Sequence, residues 1–187
     1  MHHMSFSTHL GTHMDAPFHF SLAGKTVDAY GPEELIFSRV CLLEVKKTKP
    51  AQVIEYNDLC EKNIPRGAQL LLIKTCFQKF RKSPPYATHN PGLSHTVAEG
   101  LRKDYPSIRA VGMDFISVSS FQNRERGREA HRAFLCPKKK ARPILLIEDM
   151  DLSRISSRNR ISQVMVMPLR VQGADGSPCT VAGYVKV

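Results

Sequence analysis

The stretch Ser7-Thr8-His9-Leu10-Gly11-Thr12-His13-Met14-Asp15-Ala16-Pro17-Phe18-His19-Phe20 concentrates three of the chain's eight histidines, with an aspartate, a glycine and a proline. A helix suits it poorly. His9 and His13 would share a face, but Asp15 and His19 fall off it, and Gly11 and Pro17 both weaken a helix. An extended backbone does better, because His9, Gly11, His13, Asp15, Pro17 and His19 have one parity and would point to the same side. At ~3.3 Å per residue, His9 and His13 would stand roughly 13 Å apart on a straight strand, far for convergence on one ion. A bend is therefore expected, most cheaply at Gly11.

Two imidazoles and a carboxylate form a donor set for zinc or a similar divalent ion, with a position left for water and substrate. The second oxygen of Asp15 could bridge to another ion. His19 is left over, and an imidazole that titrates near neutral pH can take and give a proton beside a metal-bound water. The competing reading is a strand whose histidines are merely exposed or hydrogen-bonded. A cysteine or serine nucleophile is the poorer choice, because no cysteine lies in a recognisable Cys/His signature.

At 187 residues the chain is long enough to bury a substantial core, and one domain is expected over 1–187. No apolar run approaches the ~20 residues that span a bilayer, and no apolar segment follows a basic start, so a cytoplasmic protein with no membrane partner is expected. Cys41, Cys60, Cys76, Cys136 and Cys179 are scattered, odd in number and never in C-x-x-C spacing. They read as free, buried thiols in a reducing compartment. Met1-His2-His3-Met4 is given no role.

A formal charge of +10 raises a different possibility, a nucleic-acid or acidic-surface binder. The basic residues cluster at Lys46 to Lys49, Lys79 to Lys82, Arg124 to Arg132, Lys138 to Arg142 and Arg154 to Arg160. These runs lack interleaved aromatics for base stacking, so nucleic acid is the less favoured partner. The charge can instead steer an anionic substrate toward the site.

Several elements must position these residues. A short helical turn is expected at Pro32 to Leu35, strands at Phe37 to Val45 and Gln69 to Lys74, and a helix from Tyr56 to Lys62. Lys46 to Pro50 reads as a basic surface turn. Gln78 to Pro91 reads as a long mobile loop, and its neighbours His89 and His95 as surface residues. Ser94 should cap a helix to about Lys103; Ile108 to Met113 should be a strand ending in Asp114, which either orients a ligating histidine or caps a turn. Asn123 should cap a helix from Arg124 to Leu135 that holds His131. Pro143 to Ile147 should be a strand delivering Glu148, and Gln163 to Val171 and Thr180 to Val187 a hairpin. The sum is a mixed α/β or α+β domain.

The segment from His9 to His19 resembles the signature H-x-G-T-H-x-D-x-P-x-H of the cyclase-like metal hydrolases, a family that includes bacterial kynurenine formamidase and isatin hydrolase. The likeness continues through Asn90 to Ser94, Val111 to Ser117, Glu129 to Arg132, Ile147-Glu148, Met167 to Arg170 and Gly173 to Pro178, and so covers nearly the whole chain. It implies the family's swivelling β/β/α fold, here without part of the N-terminal region that family members carry before the signature. By resemblance His9, His13 and Asp15 bind one metal, Asp15 bridges to a second, His131 binds the second, Glu148 binds both, and His19 transfers the proton. One or two zinc or manganese ions, a homodimer or homotetramer, and a small-molecule amide substrate (an aryl formamide such as N-formyl-kynurenine, or a cyclic amide) are implied. A metal-binding member without catalysis and a basic nucleic-acid-binding domain are the rival readings.

Overall fold

The computed structural model describes residues 1–45, 49–60, 63–137 and 141–186. In chain order the strands and α-helices are β1 (His13–Asp15), β2 (Ile36–Phe37), β3 (Val40–Glu44), β4 (Val53–Ile54), α1 (Asn57–Cys60), β5 (Leu70–Lys74), α2 (Pro85–Thr88) and β6 (Gly92–Leu93). There follow α3 (His95–Asp104), β7 (Ala110–Met113), α4 (Arg124–Leu135), β8 (Leu145–Glu148), β9 (Arg160–Pro168) and β10 (Gly176–Lys186). Eight strands form one sheet in the order β2-β9-β10-β1-β8-β7-β5-β3, and β4 pairs with β6 apart from it. The β3-β5-β7-β8 half is parallel, while β1, β10, β9 and β2 are antiparallel to their neighbours. The mixed α+β reading holds.

Parallel strands covered on both faces should be apolar throughout, and Leu70-Leu71-Leu72-Ile73 is such a run, buried at every position. Alternation then sends its side chains to two cores. Leu71 and Ile73 join Val97 and Leu101 of α3 and Phe134 of α4, whereas Leu70 and Leu72 join Met14, Phe37, Ile147 and Val164 on the other side. Burying each such large side chain contributes roughly 1.5–3 kcal/mol.

The strand expected from Phe37 to Val45 is in fact two. β2 pairs with β9 at one end of the sheet and β3 with β5 at the other, yet only Ser38 and Arg39 separate them. Phe37 and Val40 are three steps apart and so at most ~11 Å from each other, which requires the sheet to curl until its edges nearly meet. The strand break is the corner of that closure.

The segment from Gln78 to Pro91 is not a structureless loop: it holds most of a 3-10 turn at Phe77–Phe80 and all of α2, with Pro85 at a first helical position where its missing N–H costs nothing. Ser94 caps α3 as expected, its hydroxyl accepting from Thr96 N–H. Asn123 precedes α4 without capping it; its side-chain amide donates to the Ala51 carbonyl. Of the Tyr56 to Lys62 helix only Asn57–Cys60 is helical, with Glu61 and Lys62 outside the described residues, as are Lys46 to Thr48 of the basic turn. Cys41 is buried, but Cys76 is exposed and Cys136 and Cys179 are half-buried, so the described thiols are free but not uniformly buried. Among the described residues no helix is long and apolar enough to cross a membrane.

Candidate metal centre and active site

β1 lies between β8 and β10, and its register sets His13 opposite Glu148 and Asp15 opposite Gly176. Alternation points His13 and Asp15 to one side and Met14 into the core. The chain turns into β1 at Gly11, whose φ of +61° is open to glycine and strained for other residues. That turn folds His9 back over the strand, so the extended strip foreseen for the whole motif holds only for His13–Asp15. His19 closes a 3-10 turn, Pro17–His19. Space for His9 comes from Gly176: a Cβ there would stand 2.3 Å from the His9 Cε1 atom.

From the far end of the chain, α4 contributes His131 and β8 contributes Glu148, both buried. The His13 Nδ1–H points at the Gly11 carbonyl 2.8 Å away, and that of His131 at the Gly127 carbonyl 3.0 Å away. These acceptors fix the tautomer and leave each Nε2 lone pair turned inward. The His13 Nε2 is 3.3 Å from Asp15 Oδ1 and 3.4 Å from Glu148 Oε2. The His131 Nε2 is 3.6 Å from both Asp15 Oδ2 and Glu148 Oε1. The His9 Nδ1 is 2.9 Å from Asp15 Oδ1. Glu148 is further held by the Val118 N–H at 2.6 Å and the Ser117 hydroxyl at 3.3 Å.

Lone pairs facing carboxylates repel unless something positive lies between them. Burial alone would lower the His13 pKa, but Asp15 and Glu148 outweigh it and raise the group to about 11. His131 is likewise raised against the effect of its burial, chiefly by Asp15. Burial pushes the Asp15 carboxyl up, yet His13, His131 and His9 hold it well below the usual carboxylate range. Asp15 Oδ2 is buried with no hydrogen-bond partner among the described residues. A cluster that demands positive charge, with imidazole and carboxylate donors and an orphaned oxygen, fits one or two divalent cations. His13, Asp15 and Glu148 bring ligand atoms within 4.8 Å of one another, as do His9, Asp15 and His19. Nitrogen and oxygen donors suit zinc and manganese alike.

His19 stands beside this cluster, its ring centroid 4.2 Å from that of His9 and 5.7 Å from that of His131. Its Nδ1 is 2.8 Å from Asp175 Oδ2, an oxygen also 3.2 Å from the His9 Nε2. Asp175 is the residue the sequence did not single out: it read only as part of the turn before β10. Its partner His19 is 156 positions away, and no local spacing links them. Phe20 stacks on the His131 ring at 4.8 Å with 13° between planes, walling the cluster from one side.

Asp114 settles as a turn cap. Its carboxylate accepts from Thr75 N–H and hydroxyl and from Cys76 N–H, and among the described residues no histidine bonds to it. His95 opens α3 with its side chain partly exposed, 3.9 Å from Glu129 of α4. The basic runs are partly tied down: Arg81 pairs with Asp149 at 2.6 Å, Arg126 pairs with Glu55, and Arg142 reaches the Pro106 carbonyl at 3.1 Å. Lys138 to Lys140 lie outside the described residues. An open cavity of about 640 Å³ reaches all six of His9, His13, Asp15, His19, His131 and Glu148.

Comparison with known proteins places the chain in a family and a fold. Residues 2–120 match the family model Cyclase, described as "Putative cyclase". The chain is 30% identical over 181 residues to Cyclase-like protein 3 of Oryza sativa subsp. japonica, spanning 94% of this chain and 62% of that protein. It is 27% identical over 183 residues to the kynurenine formamidase of Bacillus thuringiensis (strain Al Hakam), spanning 94% of this chain and 75% of that protein. The fold superimposes with a TM-score of 0.79 on an isatin hydrolase bound to the product analogue thioisatinate, at 17% identity, covering 97% of this chain and 73% of that one. The chain thus spans less than two thirds of the length of the first of these relatives.

Proposed function

The chain belongs to the cyclase family, and from that premise we propose that it is a metal-dependent hydrolase that cleaves an amide, either an aryl formamide such as N-formyl-kynurenine or a cyclic amide. The observation that carries this reading is the pair of inward-facing Nε2 atoms of His13 and His131 meeting the carboxylates of Asp15 and Glu148, one of whose oxygens has no partner among the described residues. His9 would complete the donor set. A divalent ion held by these residues would supply Lewis acidity, lowering the pKa of water from ~15.7 toward ~7 and polarising the substrate carbonyl.

The protein's own groups do the rest. The carbonyls of Gly11 and Gly127 hold the two imidazoles in the tautomer that presents Nε2. Asp175 holds His19 by Nδ1, leaving Nε2 to receive a proton from the attacking water and return it to the departing nitrogen. The buried carboxylates of Asp15 and Glu148, side by side with inward-facing imidazoles, favour a cation between them. The homodimer or homotetramer implied by the family resemblance is part of the same reading.

Metal analysis of the purified protein with a hydrolysis screen of aryl formamides, cyclic imides and lactams tests it. Stoichiometric zinc or manganese with turnover is expected, and His19→Ala should lower kcat by ~10²–10⁴ while leaving metal content intact. Metal without turnover would reduce the protein to a binding member of the family. Salt-sensitive nucleic-acid affinity without metal would overturn the proposal.

A further inference from the structure

Glu148 is followed at once by a left-handed residue. Among the described residues, Ala51, Cys76 and Asp149 are the non-glycines with positive φ, and Asp149, at +54°, is the one adjacent to a member of the metal cluster. A Cβ in that region crowds the following carbonyl, and such residues persist only where their surroundings over-determine them. An aspartate commonly offsets the penalty by bonding to its own neighbourhood. Asp149 instead bonds far along the chain. Its carboxylate accepts from the Arg81 guanidinium at 2.6 Å, 68 positions away, and from the Tyr86 hydroxyl, 63 positions away. Its carbonyl accepts from Arg81 at 3.0 Å and from the Thr12 hydroxyl at 2.7 Å, while its N–H donates to the Phe115 carbonyl at 3.0 Å. Arg81 also reaches the Met150 carbonyl at 3.3 Å.

These contacts join the two strands that carry the cluster. Thr12 precedes His13 at the start of β1, and Asp149 follows Glu148 at the end of β8, where His13 and Glu148 lie opposite one another. Tyr86 is buried in α2 with its ring stacked on Phe77 at 5.9 Å, and the next residue, Ala87, lines the cavity over the cluster. Arg81 and Tyr86 themselves do not line that cavity. Resting on the metal-centre reading, we infer that Arg81 and Tyr86 are positioning residues: by holding Asp149 left-handed they fix the direction in which the Glu148 carboxylate leaves β8 and keep it facing His13 and His131. The sign of the effect separates this role from simple charge. Removing a nearby cation would by itself strengthen the binding of another cation, whereas releasing a held carboxylate weakens it.

The test titrates zinc, against a competing chelator, into folded wild type and variants matched by circular dichroism, with metal-free stability measured alongside in urea. Asp149→Gly can take the left-handed turn without a clamp, whereas Asp149→Ala meets the Cβ penalty. The glycine variant should bind zinc roughly 5- to 30-fold more tightly than the alanine variant. Arg81→Met and Tyr86→Phe should each weaken zinc binding ~5-fold or more, the scale of one lost hydrogen bond, and should do little in the Asp149→Gly background. Equal affinity in the glycine and alanine variants, or tighter binding by Arg81→Met, overturns the inference. So does a loss of stability with zinc affinity unchanged, the mark of a purely structural contact. A second arm needs no metal: the Val118 N–H donates to Glu148 at 2.6 Å, so its hydrogen exchange, followed by NMR in metal-free protein, reads where that carboxylate lies. Exchange ~5-fold faster or more in Tyr86→Phe and Asp149→Ala, but not in Asp149→Gly, with β5 amides unchanged, supports the clamp. Exchange unchanged in every variant, or equally fast in the glycine and alanine variants, overturns it. If wild type takes up no zinc the metal reading fails, and the exchange arm still decides whether Arg81 and Tyr86 set the place of Glu148.

Discussion

Gly176 offers a prediction that separates a real convergence of ligands from a chance cluster. It lies opposite Asp15 across the β1–β10 pairing, and a Cβ built there would stand 2.3 Å from the His9 Cε1 atom and 2.8 Å from both ring nitrogens. His9 must therefore swing away in Gly176→Ala, taking its Nδ1 from its place 2.9 Å from Asp15. Overpacking of this kind costs ~1–3 kcal/mol. If that cost falls on the metal-competent arrangement, affinity drops roughly 5- to 150-fold. A chromogenic chelator competing for zinc measures it directly. Gly183→Ala on the same strand is the control, because its Cβ would meet Gln163 O at 3.5 Å and Val164 Cγ2 at 3.6 Å, ordinary contacts. Gly176→Ala that binds zinc as tightly as Gly183→Ala would refute the argument that His9 completes the donor set.

Asp175→Asn keeps the shape but removes the charge that holds His19 by Nδ1; a charged hydrogen bond exceeds a neutral one by ~1 kcal/mol, so kcat should fall roughly 5- to 10-fold with metal content unchanged. A loss of metal equal to the loss of activity would show that Asp175 acts on the cluster instead. Metal and protons compete for His13: its pKa is raised to about 11 in the metal-free fold, so it is protonated at neutral pH and must lose that proton to ligate. Affinity should therefore rise with pH below that value, about tenfold per unit for each proton displaced, and calorimetry in buffers of different ionisation enthalpy should read at least one proton released per ion bound. Phe134→Ala, emptying a fully buried ring site between α4 and the sheet, should cost ~3–5 kcal/mol of stability by chemical denaturation; a cost under ~1 kcal/mol would mean the α4 core is not packed as described.

Much of this site was legible because its information is local. The shared parity of His13 and Asp15 survives in β1, and the expected bend at Gly11 appears as a positive φ. The apolar run at Leu70 to Ile73 and the cap at Ser94 declare themselves within a few residues. What escaped was non-local. Nothing in the residues from Phe37 to Val45 says that the two halves pair at opposite ends of one sheet, because that break is imposed by the sheet's closure. Gln78 to Pro91 read as a long loop, yet Pro85 within it begins a helix. Asp114 had two partners equally open to it, and the backbone donors of Thr75 and Cys76 won. Asp175 was hidden in a turn because its role exists only once β10 lies against β1.

All of this depends on residues from the two ends of the chain holding the same ion or ion pair. Anomalous diffraction from a metal-loaded crystal, collected on both sides of the metal's absorption edge, tests that directly. The account predicts one or two peaks enclosed by the Nε2 atoms of His13 and His131 and the carboxylates of Asp15 and Glu148. Peaks only at other sites, or none in protein shown to carry stoichiometric metal at that position's expense, would contradict it.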